Sequence, residues 1–460
     1  MPNPTNTSRR LAPLILPAML LSASAATANA GLDDRDAYEY AAMLRAETAE
    51  MERLAYDDGP QLLSAEVLLQ TRYFISARNN PSGPNSENHT YGFDIPRAQV
   101  RLEGNLINRQ LTGHLTFDFG DAEGDRGRGR TPSVAAGNGA PQLRDAYVQY
   151  NFEGSREGMY VKVGQFKSSV ITEDAIAPEF QLAVERSVSN EFFALGLTQG
   201  IALGRVTDRF AWEVSVNDGH RYWGNPEPAN AAFNNQFEAD WAFSGRFDWK
   251  FSGDWARFAD FASWRGSDEG IKAGAGFHVQ RQGDTNPDQI SADFFLFDAQ
   301  EVLVLNWAAD IQWESDGWSV YAGYNGHRIM WEISNNQLTT VQHGLVLQGS
   351  VFVSDQIELF GRWDVVQIDS VLLDPSGTNG FPTGEDTYHY YTAGASWYLI
   401  PESHAVKFTA DVVFTRSNSD TFDIGAGAGN STFYPDPTVT GLLGGADQEL
   451  LLRGQMQVLF

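Results

Sequence analysis

The feature that most constrains this chain is an alternation of apolar and polar residues in segments of about ten residues or longer, a pattern typical of membrane-spanning strands. In residues 405–415, Val406 and Phe408 fall on one face of an extended strand, and Lys407 and Thr409 fall on the other. Each such segment has one apolar and one polar face. The pattern predicts a chain built from β-strands, each with its two faces in different surroundings.

Sixteen segments of this kind can be read from residue 61 to the C-terminus. They are 61–77, 93–104, 109–120, 142–152, 157–166, 196–206, 209–217, 240–251, 271–281, 301–314, 317–327, 340–353, 357–367, 386–399, 405–415 and 447–460. Many exceed the roughly five or six residues that are commonest in soluble proteins. The length favours strands that cross a bilayer.

The connections between these segments alternate in length. Short polar turns such as 153–156 and 401–404 alternate with long stretches rich in Gly, Pro, Asn and Asp, such as 121–141 and 417–446. Short turns at one end and long loops at the other are typical of outer-membrane barrels. Segment 252–270 departs from this rule, because it is long although it belongs to the short-turn end, and the sequence assigns it no role.

A soluble β-sandwich or propeller is the alternative for alternating strands. It predicts apolar faces turned inward, shorter strands and no systematic difference between connections. A membrane barrel turns the apolar face to lipid and the polar face to a lumen, which agrees with a mean hydropathy of −0.33. The predicted fold class is therefore all-β, a transmembrane antiparallel β-barrel of sixteen strands, closed because hydrocarbon cannot satisfy an open sheet edge.

The N-terminus has the pattern of an export signal. Arg9 and Arg10 precede an apolar run at 11–21, which is followed by small residues ending at Ala30. The run is shorter than the roughly 20 residues of a spanning helix. We predict a signal peptide at 1–30 that is cleaved after Ala30, and hence an exported protein of the bacterial outer membrane.

Residues 31–59 are predicted to form a short periplasmic helical segment. Ala37, Leu44 and Met51 recur every seven residues, but two heptads are too few for an autonomous coiled coil. An oligomerisation stub and a solvated amphipathic helix both fit this pattern. The barrel would then occupy residues 60–460.

Composition excludes several classes of function. The chain has no Cys, which removes disulfides and thiolate metal sites, and its net charge of −27 disfavours a nucleic-acid partner. It contains no GxSxG, HExxH or P-loop motif, and its eight His lack metal-ligand spacing. We predict no enzyme activity, cofactor or metal, with an outer-membrane barrel hydrolase as the remote alternative. A plugged transporter is disfavoured, because its barrel would need about 22 strands and only sixteen are predicted here.

The C-terminus ends in apolar residues spaced two apart. Val458 and the terminal Phe460 close the last predicted strand. This ending resembles the signal recognised by the barrel-assembly machinery of the outer membrane, which becomes a predicted partner together with lipid and lipopolysaccharide.

Several motifs together resemble the phosphate-selective porin O/P family. They are the stretch Phe93-x-Ile95-Pro96-Arg97-Ala98-Gln99-Val100-Arg101-Leu102-x-Gly104, the stretch Leu143-Arg144-Asp145-Ala146-Tyr147-Val148-Gln149-Tyr150, and Val163-Gly164-Gln165-Phe166-Lys167 followed by Glu185-Arg186-Ser187. The resemblance implies a homotrimeric channel of sixteen strands, whose third loop folds into the lumen and supplies cations to an anion site. Passive diffusion of small hydrophilic solutes, with selectivity for phosphate or other small anions, is the implied function.

The sequence also departs from that family. Ser168 and Ser169 follow Lys167 where members usually have a Pro, and the chain has few Lys and a large acidic surplus. Family members built for phosphate have an extended cationic lumen. A general or cation-preferring porin of the same fold is therefore kept as the alternative.

The candidate site residues are cations on the polar faces and in the third loop. Arg suits a selectivity ring because it stays charged and offers forked donors to oxyanions. The constriction set is Arg97, Arg101, Lys162, Lys167 and Arg186, the secondary lumen set is Arg72, Arg246 and Arg362, and the mouth set is Arg126, Arg128 and Arg130. Each could instead form a wall salt bridge, and the mouth set could contact lipopolysaccharide phosphates.

Overall fold

The computed structural model describes residues 63–79, 88–107, 110–120, 142–153, 158–220, 239–282, 299–333, 336–369, 386–416, 440–442 and 446–460. The predicted signal peptide, the helical segment 31–59 and the mouth set Arg126, Arg128 and Arg130 lie outside these residues. They remain predictions. Residues Leu63–Leu459 form one compact unit.

Sixteen strands make up this unit. They are β1 Leu63–Asn79, β2 His89–Ile107, β3 Leu111–Asp118, β4 Gln142–Asn151, β5 Gly158–Lys167, β6 Leu197–Val206, β7 Phe210–Asn217, β8 Trp241–Ser252, β9 Gly270–Gln282, β10 Ala299–Ser315, β11 Trp318–Ile333, β12 Asn336–Phe352, β13 Ile357–Gln367, β14 Thr387–Tyr398, β15 Val406–Thr415 and β16 Gln448–Leu459.

The strands form a closed antiparallel barrel. Each strand pairs with its neighbour in sequence, and β1 pairs with β16 from Leu68 opposite Leu459 to Asn79 opposite Gln448. All sixteen predicted strands are confirmed. Their bounds agree to within a few residues except at β11, which continues to Ile333, and β12, which already begins at Asn336.

The two faces of the barrel wall are inverted relative to a soluble protein. On β16, Leu450, Leu452 and Met456 are exposed, whereas Glu449 and Arg453 on the other face are buried. Apolar side chains therefore lie on the outer surface and charged ones inside, the arrangement that a hydrocarbon surrounding requires. A soluble sandwich would have the opposite arrangement.

Within the described residues, no helix is both long enough and apolar enough to cross a membrane.

The connection between β5 and β6 enters the barrel, which confirms the inward-folded third loop. This inner segment, residues 168–196, contains helix α1 (Thr172–Ala175), a 3₁₀ helix (Pro178–Phe180) and helix α2 (Val188–Phe193). Ser187 caps α2, because its side chain accepts a hydrogen bond from the N–H of Asn190. Every residue from 181 to 195 is buried, so the segment is packed on all sides within the barrel.

The connection between β8 and β9, residues 253–269, also turns inward, from the end at which β1 begins and β16 ends. It contains a 3₁₀ helix, Trp255–Ala259. Phe261 N–H donates to the carbonyl of Phe180 at 3.4 Å, and the Phe261 ring lies 4.9 Å from that of Tyr321. We call this connection the floor, because it lies beneath the inner segment at that end of the lumen. It accounts for the exceptional length of segment 252–270.

Part of the lumen is apolar, which the alternation did not predict. Val302, Val304 and Trp331 face inward and pack with Phe192 and Phe193 of α2. The sequence pattern fails here because the first half of β10 is apolar on both faces, so alternation cannot identify the inner one. The inner segment thus has its own hydrophobic core against one side of the barrel, and each buried apolar side chain adds about 1.5–3 kcal/mol to that packing.

The inner segment and the candidate permeation path

The carboxylate of Glu185 is the main anchor of the inner segment on the first two strands. Arg97 on β2 donates to its Oε1 at 3.0 Å and to its Oε2 at 2.8 Å, and Arg72 on β1 donates to Oε1 at 3.0 Å. Arg72 also binds Asp94 at 2.8 Å, and Arg97 binds Gln70 at 3.0 Å. Both arginines are thus held by carboxylates away from solvent.

Arg101, four residues further along the same face of β2, is held in the same way. It donates to both carboxylate oxygens of Glu179 and, at 2.8 Å, to Glu66 of β1. Its side chain is 23% exposed. The guanidinium joins the inner segment to the wall while one side of it remains open to the lumen.

Lys162 lies three strands away from β2, on β5. Its ammonium is 2.8 Å from Glu213 of β7 and 4.5 Å from the ring centre of Phe166. The Tyr160 hydroxyl donates to the same oxygen of Glu213 at 2.8 Å. A carboxylate and an aromatic ring thus stabilise the ammonium.

The two cations predicted in the third loop bind groups of the loop itself. Lys167 donates to a carboxylate oxygen of Asp174 at 2.7 Å. Arg186, only 1% exposed, donates to the carbonyls of Ile176 at 2.7 Å and Glu173 at 3.1 Å. These contacts fix the turn between α1 and α2.

The secondary lumen residues also bind the inner segment. Arg246 on β8 donates to Asp310 at 2.8 Å and to the Val170 carbonyl at 3.0 Å. Arg362 on β13 donates to the Glu185 carbonyl at 2.9 Å. The two arginines hold the beginning and the middle of the segment.

The structure therefore brings Arg72, Arg97, Arg101 and Arg362 together around Glu179 and Glu185, and it leaves Lys162 and Lys167 at separate places. The contacts are those of the salt-bridge alternative. No ring of cations facing solvent is formed by the described members of the two sets.

Burial and charge act in opposite directions on the carboxylates of the inner segment. Burial alone would raise the pKa of Glu185, but the charges of Arg97 and Arg72 outweigh it and lower that pKa to about 2. Burial likewise opposes the charge of Glu179, yet Arg101 lowers the pKa of this group. At Glu173 burial prevails and raises the pKa despite nearby Arg362.

Sequence reasoning missed the acidic partners. The inner segment carries four acidic residues within a stretch of 15 residues, namely Glu173, Asp174, Glu179 and Glu185. These carboxylates match the cations on the inner face of the wall. A dense acidic stretch between two strands of a barrel with inward Arg was the available signal. The alternation also predicts that Lys407 lies on the polar face of its strand, and in the structure its ammonium donates to the Glu179 carbonyl at 2.9 Å.

Lumen-facing side chains differ in exposure between two parts of the wall. On β10–β16 they are covered by the inner segment and the floor, as shown by Gln312 at 1% and Lys407 at 2% exposure. In one part of β2–β4 and β7, Glu103, His114, Tyr147 and Glu213 are partly exposed, whereas Arg97 and Gln99 further along β2 are buried. We call the first part the filled wall and the second the open wall.

No group of three or more acidic or His side chains suited to a metal ion occurs among residues that the structure describes.

The chain matches no family model, and no curated protein matches it. Solved structures do match its fold. The anion-selective porin from Comamonas acidovorans aligns with a TM-score of 0.54 and 10% identity, covering 87% of this chain and 100% of that one. The outer membrane channel DcaP of Acinetobacter baumannii aligns with a TM-score of 0.54 and 10% identity over 87% and 98%.

Outer-membrane expressed OmpT of Vibrio cholerae aligns with a TM-score of 0.50 and 10% identity, covering 88% of this chain and 99% of that one. At such identities the likeness shows the fold alone. The chain has the closed barrel found in outer-membrane porins and channels, over nearly the full length of each.

Proposed function

We propose that this protein is an outer-membrane porin that lets small hydrophilic solutes diffuse passively. The observation that carries the proposal is the inverted wall: exposed Leu450, Leu452 and Met456 alternate with buried Glu449 and Arg453 around a closed barrel. Such a wall fits a bilayer outside and water inside. The inner segment narrows the lumen, which limits the size of solutes that pass.

The sequence also predicts selectivity for phosphate or other anions. The binding of the lumen cations to carboxylates and backbone carbonyls argues against that selectivity. Each described constriction residue is bonded to a carboxylate or to a backbone carbonyl. An arginine that already holds two carboxylate oxygens has few donors left for an oxyanion. We therefore favour the alternative of a general porin over a phosphate channel.

The partners in this proposal are those of an outer-membrane barrel. We propose a homotrimer in lipid and lipopolysaccharide, exported by the signal at 1–30 and inserted by the barrel-assembly machinery. Val458 supports the last step, since it lies on the outer face of β16 between Val406 and Leu69, and the terminal Phe460 is exposed.

Planar-bilayer recording of the purified full-length protein tests the function. We expect stepwise conductance in KCl, a reversal potential in a KCl gradient that reports ion preference, and no block by added phosphate. Block by millimolar phosphate with an anion-directed reversal potential would instead support the phosphate channel. Absence of conductance from protein that migrates as a folded, heat-modifiable barrel would overturn the porin proposal.

A further inference from the structure

The inner segment does not narrow the lumen evenly. It contacts the strands of the filled wall through Asp310 on β10, Asp364 on β13 and Asp411 on β15. Its helix α2 packs on β11–β13, where Gly344 leaves room for Ser189 and Phe193. Together with the bonds of Glu185 to Arg72 on β1 and Arg97 on β2, these contacts concentrate the segment on β8–β16 and the first two strands.

The floor contacts the filled wall from the other end. Gln312 on β10 donates to the Asp260 carbonyl at 2.6 Å, and His404, in the turn before β15, is 3.1 Å from the Asp260 carboxylate. Trp264 stacks edge to face on Tyr398 of β14 at 4.8 Å. Two independent connections thus cover the filled wall, one from each end.

The open wall is covered less, because the inner segment reaches it through Glu179, whose partner Arg101 is still 23% exposed. Arg101 and Thr116 are register partners that face the lumen and are partly exposed. Glu103 is a register partner of His114, with its side chain 45% exposed and its carboxylate 3.9 Å from the imidazole. Partly exposed polar side chains therefore line the lumen on this side.

Carboxylates outnumber cations along this surface. Within the described residues, Glu66, Glu179 and Glu213 share two cations, Arg101 and Lys162. Glu103 adds a fourth carboxylate, which lies 3.9 Å from the His114 imidazole. A narrow path between low-dielectric walls amplifies such an imbalance. The local field therefore favours cations.

We propose that solutes cross the barrel along the open wall, past Glu103, His114 and Thr116, and that this path prefers cations and cationic solutes. The proposal rests on the proposed porin function and specifies its route and its preferred solute charge. The arginines around Glu185 take no part in the route, because they hold the inner segment in place.

The absence of Cys from the chain permits a direct test. Two matched single variants are Thr116→Cys on the open wall and Thr392→Cys on the filled wall. Both threonines face the lumen beside an arginine, Arg101 and Arg362 respectively, but Thr392 is 3% exposed and Thr116 is partly exposed. Cationic and anionic methanethiosulfonate reagents are added to open channels, and modification is followed by conductance and by mass.

We expect modification and loss of conductance in Thr116→Cys, and neither in Thr392→Cys. The cationic reagent is expected to react about tenfold faster than the anionic one, the lower end of the effect of a charged cleft on encounter rates. Equal reaction at both positions, or reaction at Thr392→Cys alone, would overturn the route. Faster reaction of the anionic reagent would overturn the cation preference.

Glu103→Gln provides a second measurement, with Glu332→Gln as its control. Glu332 is exposed and alternates with the inward Trp331, so it lies on the outer face. We expect the reversal potential to shift toward anions in Glu103→Gln only. An unchanged potential in Glu103→Gln would contradict the preference. Wild-type barrels that do not conduct would refute the porin function, while thiol modification by mass would still test the route.

Discussion

Arg97 and Glu185 meet in two parallel hydrogen bonds between β2 and the inner segment, with both side chains only 1% exposed. Arg72 adds a third bond to the same carboxylate at 3.0 Å. Arg72 also binds Asp94, and the Glu185 carboxylate is shared between the two buried guanidinium groups. Removing it would leave positive charge inside the barrel.

Glu185→Gln is expected to destabilise the protein by about 3–5 kcal/mol, because removal of one partner of a buried ion pair leaves an uncompensated charge. It should also shift the reversal potential toward anions, since Arg72 and Arg97 lose their shared counter-charge. Urea unfolding in detergent and bilayer recording measure the two effects. The exposed Glu332→Gln serves as the control, and equal stabilities of the two variants would contradict this role of Glu185.

The pH dependence of stability should carry the signature of Glu185. Its pKa in the folded protein is about 2, below the ordinary value of 4.5. A lowered pKa contributes stability that is complete above the ordinary value and is lost as pH falls toward the folded value. The difference in unfolding free energy between wild type and Glu185→Gln should thus be constant above about pH 5 and shrink below it. A difference that grows on acidification would contradict this assignment.

Gly276 on β9 should be intolerant of a side chain. A Cβ at this position would lie 2.3 Å from the Val170 carbonyl oxygen of the inner segment, whereas a Cβ at Gly361 on the outer face of β13 would lie 3.9 Å from its nearest neighbour. We expect Gly276→Ala to cost about 1–3 kcal/mol and to alter single-channel conductance. Gly361→Ala should change neither. Thermal unfolding by gel shift, with bilayer recording, compares the pair.

The floor should depend on the buried ring of Phe261. This ring is 1% exposed and packs with Ile176, Leu182 and Tyr321. Phe261→Ala is expected to cost about 3–5 kcal/mol and to loosen the floor, which should raise the conductance or its noise. Phe251→Ala, at a ring 65% exposed on the wall, is the matched variant. Similar losses of stability in both would show that the floor adds no packing of its own.

Lys162→Gln should strengthen the cation preference. Lys162 is the one ammonium that the structure places near Glu213, at 2.8 Å, so its removal leaves the carboxylate with the Tyr160 hydroxyl alone. The reversal potential in a KCl gradient is expected to move toward the cation value. A shift toward anions would show that Glu213 does not act on permeating ions.

The wall of this protein could be predicted from sequence because a strand in a bilayer must alternate. Lys407 between Val406 and Phe408 has only one orientation that keeps its ammonium out of hydrocarbon, so the face assignment follows from the residues themselves. The same physics gave the number of strands. The alternation does not identify the inner face at Val302 and Val304, because these residues lie among apolar residues on both faces. In the structure they are covered by α2.

The contents of the lumen could not be predicted in the same way. Nothing in the spacing of Arg97 and Arg101 distinguishes a cation that faces water from one that binds a carboxylate 78 or 88 positions away. The partner comes from a connection without periodicity, and only the folded structure brings Glu179 and Glu185 to β2. The floor was recognised as anomalous from its length, but its burial of Phe261 was not visible.

The inner segment also contacts both strands at which the barrel closes, β1 and β16. Gln70 on β1 and Gln457 on β16 are 387 positions apart, yet their side chains meet at 2.9 Å across the seam between the first and last strands. The segment holds both edges, through Arg72 on one and through the Gln457 bond to the Glu179 carbonyl on the other. A seated segment therefore keeps the two edges near each other and lowers the entropic cost of their meeting. The inner segment thus links the first and last strands, in addition to narrowing the lumen.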